Sequence, residues 1–233
     1  MSLLISAFTN PQQFTIFSSQ DWQELLSEAN ISQLTGRLRY VLDTNDIQVP
    51  EYIEWHLESA YKVAQKQRQQ AIRELLEVTK ALPHFKETLI FLKGAAYIAK
   101  ELPCSYGRTF SDIDVLVKKK DLTRIEQTLK FSDWLKTKVD DYDEQYYRTW
   151  MHEIPPLHHV KRGTVLDVHH NILPSTNKNT PDASKFNIEK IDVENVGLVN
   201  VLDDYDLVIH TAVHLSTESE FHHGLRDISD IDT

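Results

Sequence analysis

Ser111-Asp112-Ile113-Asp114-Val115-Leu116-Val117 is a short apolar run in which two acids alternate with aliphatic residues. The β-branched content and the lack of helix-length continuation predict a strand over 112–117. Residues i and i+2 of a strand share a face, so Asp112 and Asp114 project together while Ile113 and Val115 enter the core. Two carboxylates held so close repel each other. A divalent metal removes that penalty, and oxygen ligands on one side of a strand leave magnesium the open positions it needs to carry phosphate. An acidic pair by itself arises often by chance, so the flanking sequence decides its meaning.

Upstream, Thr-Leu-Ile-Phe-Leu at 88–92 reads as a buried strand, Gly94 as a turn, and 95–101 as a short helix. A strand entering a glycine turn before a helix can point backbone N–H groups at phosphate oxygens. The stretch 103–111 reads as a loop containing Gly107. Asp121 is expected to cap a helix to about 130, with Leu122, Ile125 and Leu129 on one face. Two strands, 154–160 and 164–170, are expected to form a hairpin through Lys161, Arg162 and Gly163. In its second strand, Val-Leu-Asp-Val-His-His, Asp167 supplies a third acid. Strand alternation puts His169 on the side of Asp167 and turns His170 away.

The remainder of the chain reads as helical. Asp21 followed by Glu24 predicts an N-cap and a helix over 22–30, and helical spacing of Ile53, Leu57, Ala64 and Leu75 predicts one long helix, or two end to end, over 50–82. Residues 174–181 read as a loop and 203–217 as a helix. Three regions follow from this: an N-terminal helical region at 1–83, a core at 84–173, and a linker with a C-terminal helical region at 174–233. The last residues begin a helical pattern without a cap, so the native chain is expected to continue beyond them. A second Ser-Asp-Ile-Asp at 229–232 falls in that helical pattern, which splays its acids, and it is assigned no catalysis.

Taken in order, the Leu-Lys-Gly of 92–94, Arg108, the acidic pair and the later Leu-Asp-Val-His resemble the DNA polymerase beta-like nucleotidyltransferase superfamily. Within it they are similar to a group of uncharacterised bacterial nucleotidyltransferases. The resemblance covers about 89–173. It implies an α+β fold, a small mixed β-sheet nucleotidyltransferase core flanked by N-terminal and C-terminal helical segments. It also implies magnesium, as two ions, or manganese, on Asp112, Asp114 and Asp167. The implied reaction is magnesium-dependent transfer of a nucleoside monophosphate from a nucleoside triphosphate such as ATP to an acceptor hydroxyl of a small molecule or protein, releasing pyrophosphate. Gly94 matches the glycine turn and Arg108 the arginine before the pair. Ala95 stands where many members carry serine, which leaves the triphosphate to backbone amides, Lys93, Arg108 and Ser111, with His169 on the acceptor side.

Composition fits such an enzyme. The chain of 233 residues is 41% hydrophobic, enough for a sizeable core, and its formal net charge of -10 disfavours general adhesion to nucleic acid or anionic membrane. No apolar run is long enough for a membrane span, no export signal is evident, and the lone Cys104 reads as a small buried hydrophobe, so a cytoplasmic protein is expected. Two other readings compete. One is a catalytically degenerate nucleotide-binding or interaction module. The other is a His/Asp metal phosphohydrolase, prompted by the nine of 11 histidines that follow residue 150. Of these, His210 and His214 sit at i, i+4 without the glutamate of a zinc protease motif and read as packing.

Overall fold

The computed structural model describes residues 2–136, 141–217 and 224–232; His222 and His223 lie outside them. The chain divides into two compact units, one comprising Met1–Gln69, Leu102–Phe110 and Glu218–Thr233, the other Gln70–Glu101 and Ser111–Thr217. No helix among the described residues is long and apolar enough to cross a membrane.

The first unit is helical: α1 (Leu3–Thr9), α2 (Ser19–Ile31), α3 (Thr35–Thr44), the first part of α4 (Glu51–Ala81) and, near the chain end, α9 (Gly224–Ile231). Its core gathers Leu4, Phe14, Trp22, Leu25, Leu38 and Leu57. Helix α2 begins earlier than the 22–30 expected. Ser18 is its N-cap, and Asp21 is the third residue of a capping box in which the Ser18 and Asp21 side chains each take the other's backbone N–H. A close backbone approach docks the 102–110 segment on α3: a Cβ at Gly36 would meet the Gly107 carbonyl oxygen at 2.5 Å, and Gly107 itself has φ +69°. Only glycine fits both positions. Beside this contact the buried Arg37 donates to the carbonyl of Cys104, to Ser229 Oγ and, at 2.5 Å, to Asp230 Oδ1.

The second unit carries a mixed seven-stranded sheet in the order β3-β4-β5-β2-β1-β7-β6. Its strands are β1 (Ile90–Phe91), β2 (Asp112–Leu116), β3 (Trp134–Lys136), β4 (Leu157–His159), β5 (Val165–His169), β6 (Ile188–Val193) and β7 (Gly197–Leu202). Strand β2 is central, antiparallel to β1 and parallel to β5, and four of its five residues are buried. The expected hairpin is β4–β5, shorter at each end than its sequence pattern. An expected linker instead contains β6 and β7, an antiparallel hairpin whose second strand pairs in parallel with β1. Helices α5 (Lys93–Ala99), α6 (Leu122–Phe131), α7 (Asp141–Trp150) and α8 (Asp204–Thr217) complete the unit, with α5 against β2, β7 and α8. Asp121 stands at the N-cap of α6 but makes no side-chain capping bond. The end of α4, one unbroken helix of 31 residues, is fastened within this unit by Glu74, which the Arg162 guanidinium grips with two bonds of 2.6 and 2.9 Å. The architecture is α+β, as the sequence pattern implies, with helices on both sequence flanks of the sheet.

Candidate active site

Parallel pairing of β2 with β5 sets Asp114 directly opposite Asp167 and Asp112 opposite Val165. Register partners in neighbouring strands share a face, as do i and i+2, so Asp112, Asp114, Asp167 and His169 all belong to one side of the sheet. The alternate residues Ile113, Val115, Leu166 and Val168 are buried in the core. The apolar half of each strand thus fixes the register, and a slip by one residue would turn the acids into the aliphatic core.

Lys93 reaches this face from the start of α5. Its φ of 44° lies in the left-handed region, a conformation that an L-residue adopts at a cost of about 1–2 kcal/mol. The turn places its Nζ 2.8 Å from Asp114 Oδ1, the same oxygen that lies 3.0 Å from His169 Nε2. Helix α5 therefore starts two residues before the expected Ala95, and Gly94 is a buried residue of its first turn. The backbone N–H of Leu92 donates to the Asp114 carbonyl at 3.0 Å, which continues the β1–β2 ladder to the lysine. At the strand's entrance, Ser111 Oγ donates to Asp112 Oδ1 at 3.0 Å.

The electrostatics of the face separate its acids. Burial by itself would push Asp114 up, but the Lys93 ammonium and then the His169 contact overcome it and hold this carboxyl well below the usual range. Lys93 is held above its ordinary value; burial opposes this, and the charge of Asp114, backed by Asp112 and Asp167, prevails. Asp167 goes the other way. Burial, followed by the charges of Asp114, Asp112 and Glu153, pushes it up to about 8. Its Oδ1 is buried with no hydrogen-bond partner. The donors that face one another here are carboxylate oxygens, of the hard kind that magnesium takes. The residues accordingly fit a divalent ion held by Asp112, Asp114 and Asp167.

A second group borders the first. Glu153 forms an antiparallel bridge with His169, and its Oε2 lies 3.2 Å from His169 Nδ1, although that nitrogen is not aligned for a hydrogen bond. The His152 ring is 5.4 Å from that of His169. Burial, then the neighbouring His169 and Lys93, pushes His152 down to about 4. Glu153 and His152 were not expected from the sequence, since they follow α7 without strand or helix periodicity; only the adjacency of an acid and a histidine hints at them. On α8, burial likewise lowers the buried His210, and lowers the half-buried His214 to about 3.

Arg108 belongs to the first unit, where its Nε donates to Asp230 Oδ2 at 2.9 Å and its guanidinium lies over the Phe110 ring. Asp230, from the second Ser-Asp-Ile-Asp, is thus a buried acid gripped by two arginines, Arg37 and Arg108.

Comparison with known proteins yields one family. The model described as uncharacterised nucleotidyltransferase matches residues 18–233, most of the chain. Neither the search of curated proteins nor that of solved structures found a match.

Proposed function

The chain belongs to this uncharacterised nucleotidyltransferase family, and from that membership we propose that it transfers a nucleoside monophosphate from a nucleoside triphosphate to an acceptor hydroxyl. The acceptor oxygen forms a bond to the α-phosphorus, the bond from that phosphorus to the bridging oxygen breaks, and pyrophosphate leaves. The observation that carries this reading is the side-by-side placement of Asp112, Asp114 and Asp167 on one sheet face, with a buried Asp167 oxygen left unpartnered.

Catalysis is assigned to the core at 84–173. Asp112, Asp114 and Asp167 would hold magnesium, or manganese, as one or two ions, which would lower the acceptor's pKa and neutralise charge on the leaving group. Lys93 lends a fixed positive charge to phosphate oxygens, and Ser111 Oγ supplies a hydroxyl at the mouth of β2. His169 keeps the Asp114 carboxylate oriented. Asp167, whose carboxyl is pushed up by burial and then by its acidic neighbours, would accept the acceptor's proton. ATP is one candidate donor. The acceptor is a small molecule or a protein side chain, in keeping with the net charge of -10, and the cytoplasm, where triphosphates are abundant, is the proposed setting.

One observation favours a second reading. Lys93 and His169 both already engage Asp114 Oδ1; in this reading the ammonium replaces a metal in a nucleotide-binding module without turnover. Incubating the protein with each α-labelled nucleoside triphosphate and magnesium, then separating protein, pyrophosphate and small products, decides between them. Transfer that is lost in Asp112→Asn and Asp114→Asn, both folded, supports catalysis. Nucleotide binding without any labelled product supports the quiescent module.

A further inference from the structure

We infer that His152, Glu153 and His169 form a second metal site, separate from the three aspartates and selective for a divalent transition metal of the zinc type. One ligand atom from each of the three residues lies within 4.8 Å of the others. The case rests on the hydrogen bonds that these side chains do not make.

His152 Nδ1 and His169 Nδ1 are both buried without a hydrogen-bond partner. Leaving one such atom unpaired costs about 1–3 kcal/mol, so two in adjoining rings call for a ligand. The tautomer of His169 sharpens the point. Its Nε2 lies 3.0 Å from Asp114 Oδ1, an acceptor-only carboxylate, so Nε2 carries a proton, and in a ring with a single proton Nδ1 presents a lone pair. That lone pair lies 3.2 Å from Glu153 Oε2. Two electron-rich atoms at this separation repel each other. A proton on Nδ1 would turn the contact into an ion pair but, for want of alignment, not into a hydrogen bond. A cation shared by the ring and the carboxylate turns the same contact into an attraction.

The backbone holds the ligands in place. Glu153 and His169 are bridge partners, the His170 N–H donates to the His152 carbonyl at 2.8 Å, and the Ile154 N–H donates to the Val168 carbonyl at 3.1 Å. Asp114 stands behind His169 as the carboxylate stands behind a metal-bound histidine in many zinc sites, fixing its tautomer and strengthening it as a ligand. Two imidazoles and one carboxylate, with a fourth position left for water, suit zinc, cobalt or nickel, whereas magnesium prefers oxygen donors throughout. Ligands of a tetrahedral zinc lie about 3.4 Å apart, so the present spread closes by about an ångström or so on binding. Glu153, with its side chain 23% exposed, is placed to supply that movement. Because His169 touches Asp114 through one nitrogen and the second site through the other, an ion there also locks the orientation of Asp114.

The test needs no nucleotide and no turnover, so its outcome is independent of the proposed transfer reaction. The full chain, stripped with chelator, is titrated with Co2+ while visible d–d absorption and bound metal are followed. With excess Mg2+ present to fill the aspartate set, one equivalent of Co2+ should bind with the intense spectrum of a tetrahedral nitrogen and oxygen site and be displaced by Zn2+. His152→Ala and Glu153→Gln, each checked for an unchanged circular dichroism spectrum and melting point, should weaken binding by more than about 100-fold, the upper end of what loss of an outer-shell partner causes. Asp112→Asn should bind Co2+ as the parent does. The proposal is overturned if no Co2+ is retained, if the His152 and Glu153 variants bind normally, or if Mg2+ or Asp112→Asn abolishes the signal, which would put the ion on the aspartates.

Discussion

Replacing Asp167 by asparagine should stabilise the protein without metal and do so increasingly as pH rises. Asp167 is pushed from 3.8 to about 8 by burial and by its acidic neighbours. A group whose folded value lies above its unfolded one keeps its proton in the fold after the unfolded chain has released it. Stability is then complete below about pH 4, falls as pH rises toward 8, and stays low beyond. At about 1.4 kcal/mol per pH unit the gap corresponds to roughly 6 kcal/mol, and the side chain's partial exposure trims this to roughly 2–5 kcal/mol. Asparagine matches the shape and carries no charge, so its gain should be near zero at about pH 4 and largest at about pH 8–9. Urea unfolding of both proteins in chelator across that range reads the difference directly. Saturating magnesium should narrow or reverse it, because the ion binds the native carboxylates of the parent and not the amide. A constant difference across pH, or a variant less stable than the parent at pH 8 without metal, would refute the picture of Asp167 as a carboxyl strained by its fellow acids.

The two buried ion pairs make further predictions. Asp230→Ala leaves Arg37 and Arg108 facing each other's charge without their shared acid, and should lower stability by about 3–5 kcal/mol. Equilibrium unfolding measures it, and a loss under about 1 kcal/mol would show that the arginines find other partners. Arg162→Ala strands the Glu74 carboxylate in the latter part of α4 and should lower stability by about 2–4 kcal/mol. An equal loss when Arg162→Ala is made on a Glu74→Gln background would assign the effect to lost packing on Trp134 rather than to the charge.

The central strands were legible because one physical constraint acts on both. A strand with a buried face must alternate, and Asp-Ile-Asp-Val and Leu-Asp-Val-His display period two plainly enough to set the carboxylates and His169 on one side. The β4–β5 turn was equally plain in Lys161-Arg162-Gly163, where Gly163 takes φ 71°. The β6–β7 hairpin was not, since β6 is an edge strand in which Glu189, Lys190 and Asp192 keep its alternation from looking apolar. Its only local signal is the turn through Asn195 and Gly197, both at positive φ. The left-handed Lys93 was invisible because no side chain other than glycine announces that conformation, and the turn was consequently placed one residue late, at Gly94. Asp230 was read as a helical acid without catalysis, while its partners Arg37 and Arg108 are remote in sequence, so nothing local revealed that it is buried between them. His152 and Glu153 depend likewise on a single bridge to β5.

The strand β1 contributes only Ile90 and Phe91, yet it is the sole ladder between the half of the sheet bearing the aspartates and the β6–β7 hairpin among the described residues. The hairpin's strands pair with each other over six register positions and with β1 over two. Local opening of a protein follows its weakest seam. Amide protons of Asn200 and Leu202, which face β1, should therefore exchange with solvent through an excursion that frees the hairpin as a unit, while those of Ile113 and Leu166 wait for global unfolding. The carboxylate face can then keep its geometry while the far side of the same sheet breathes.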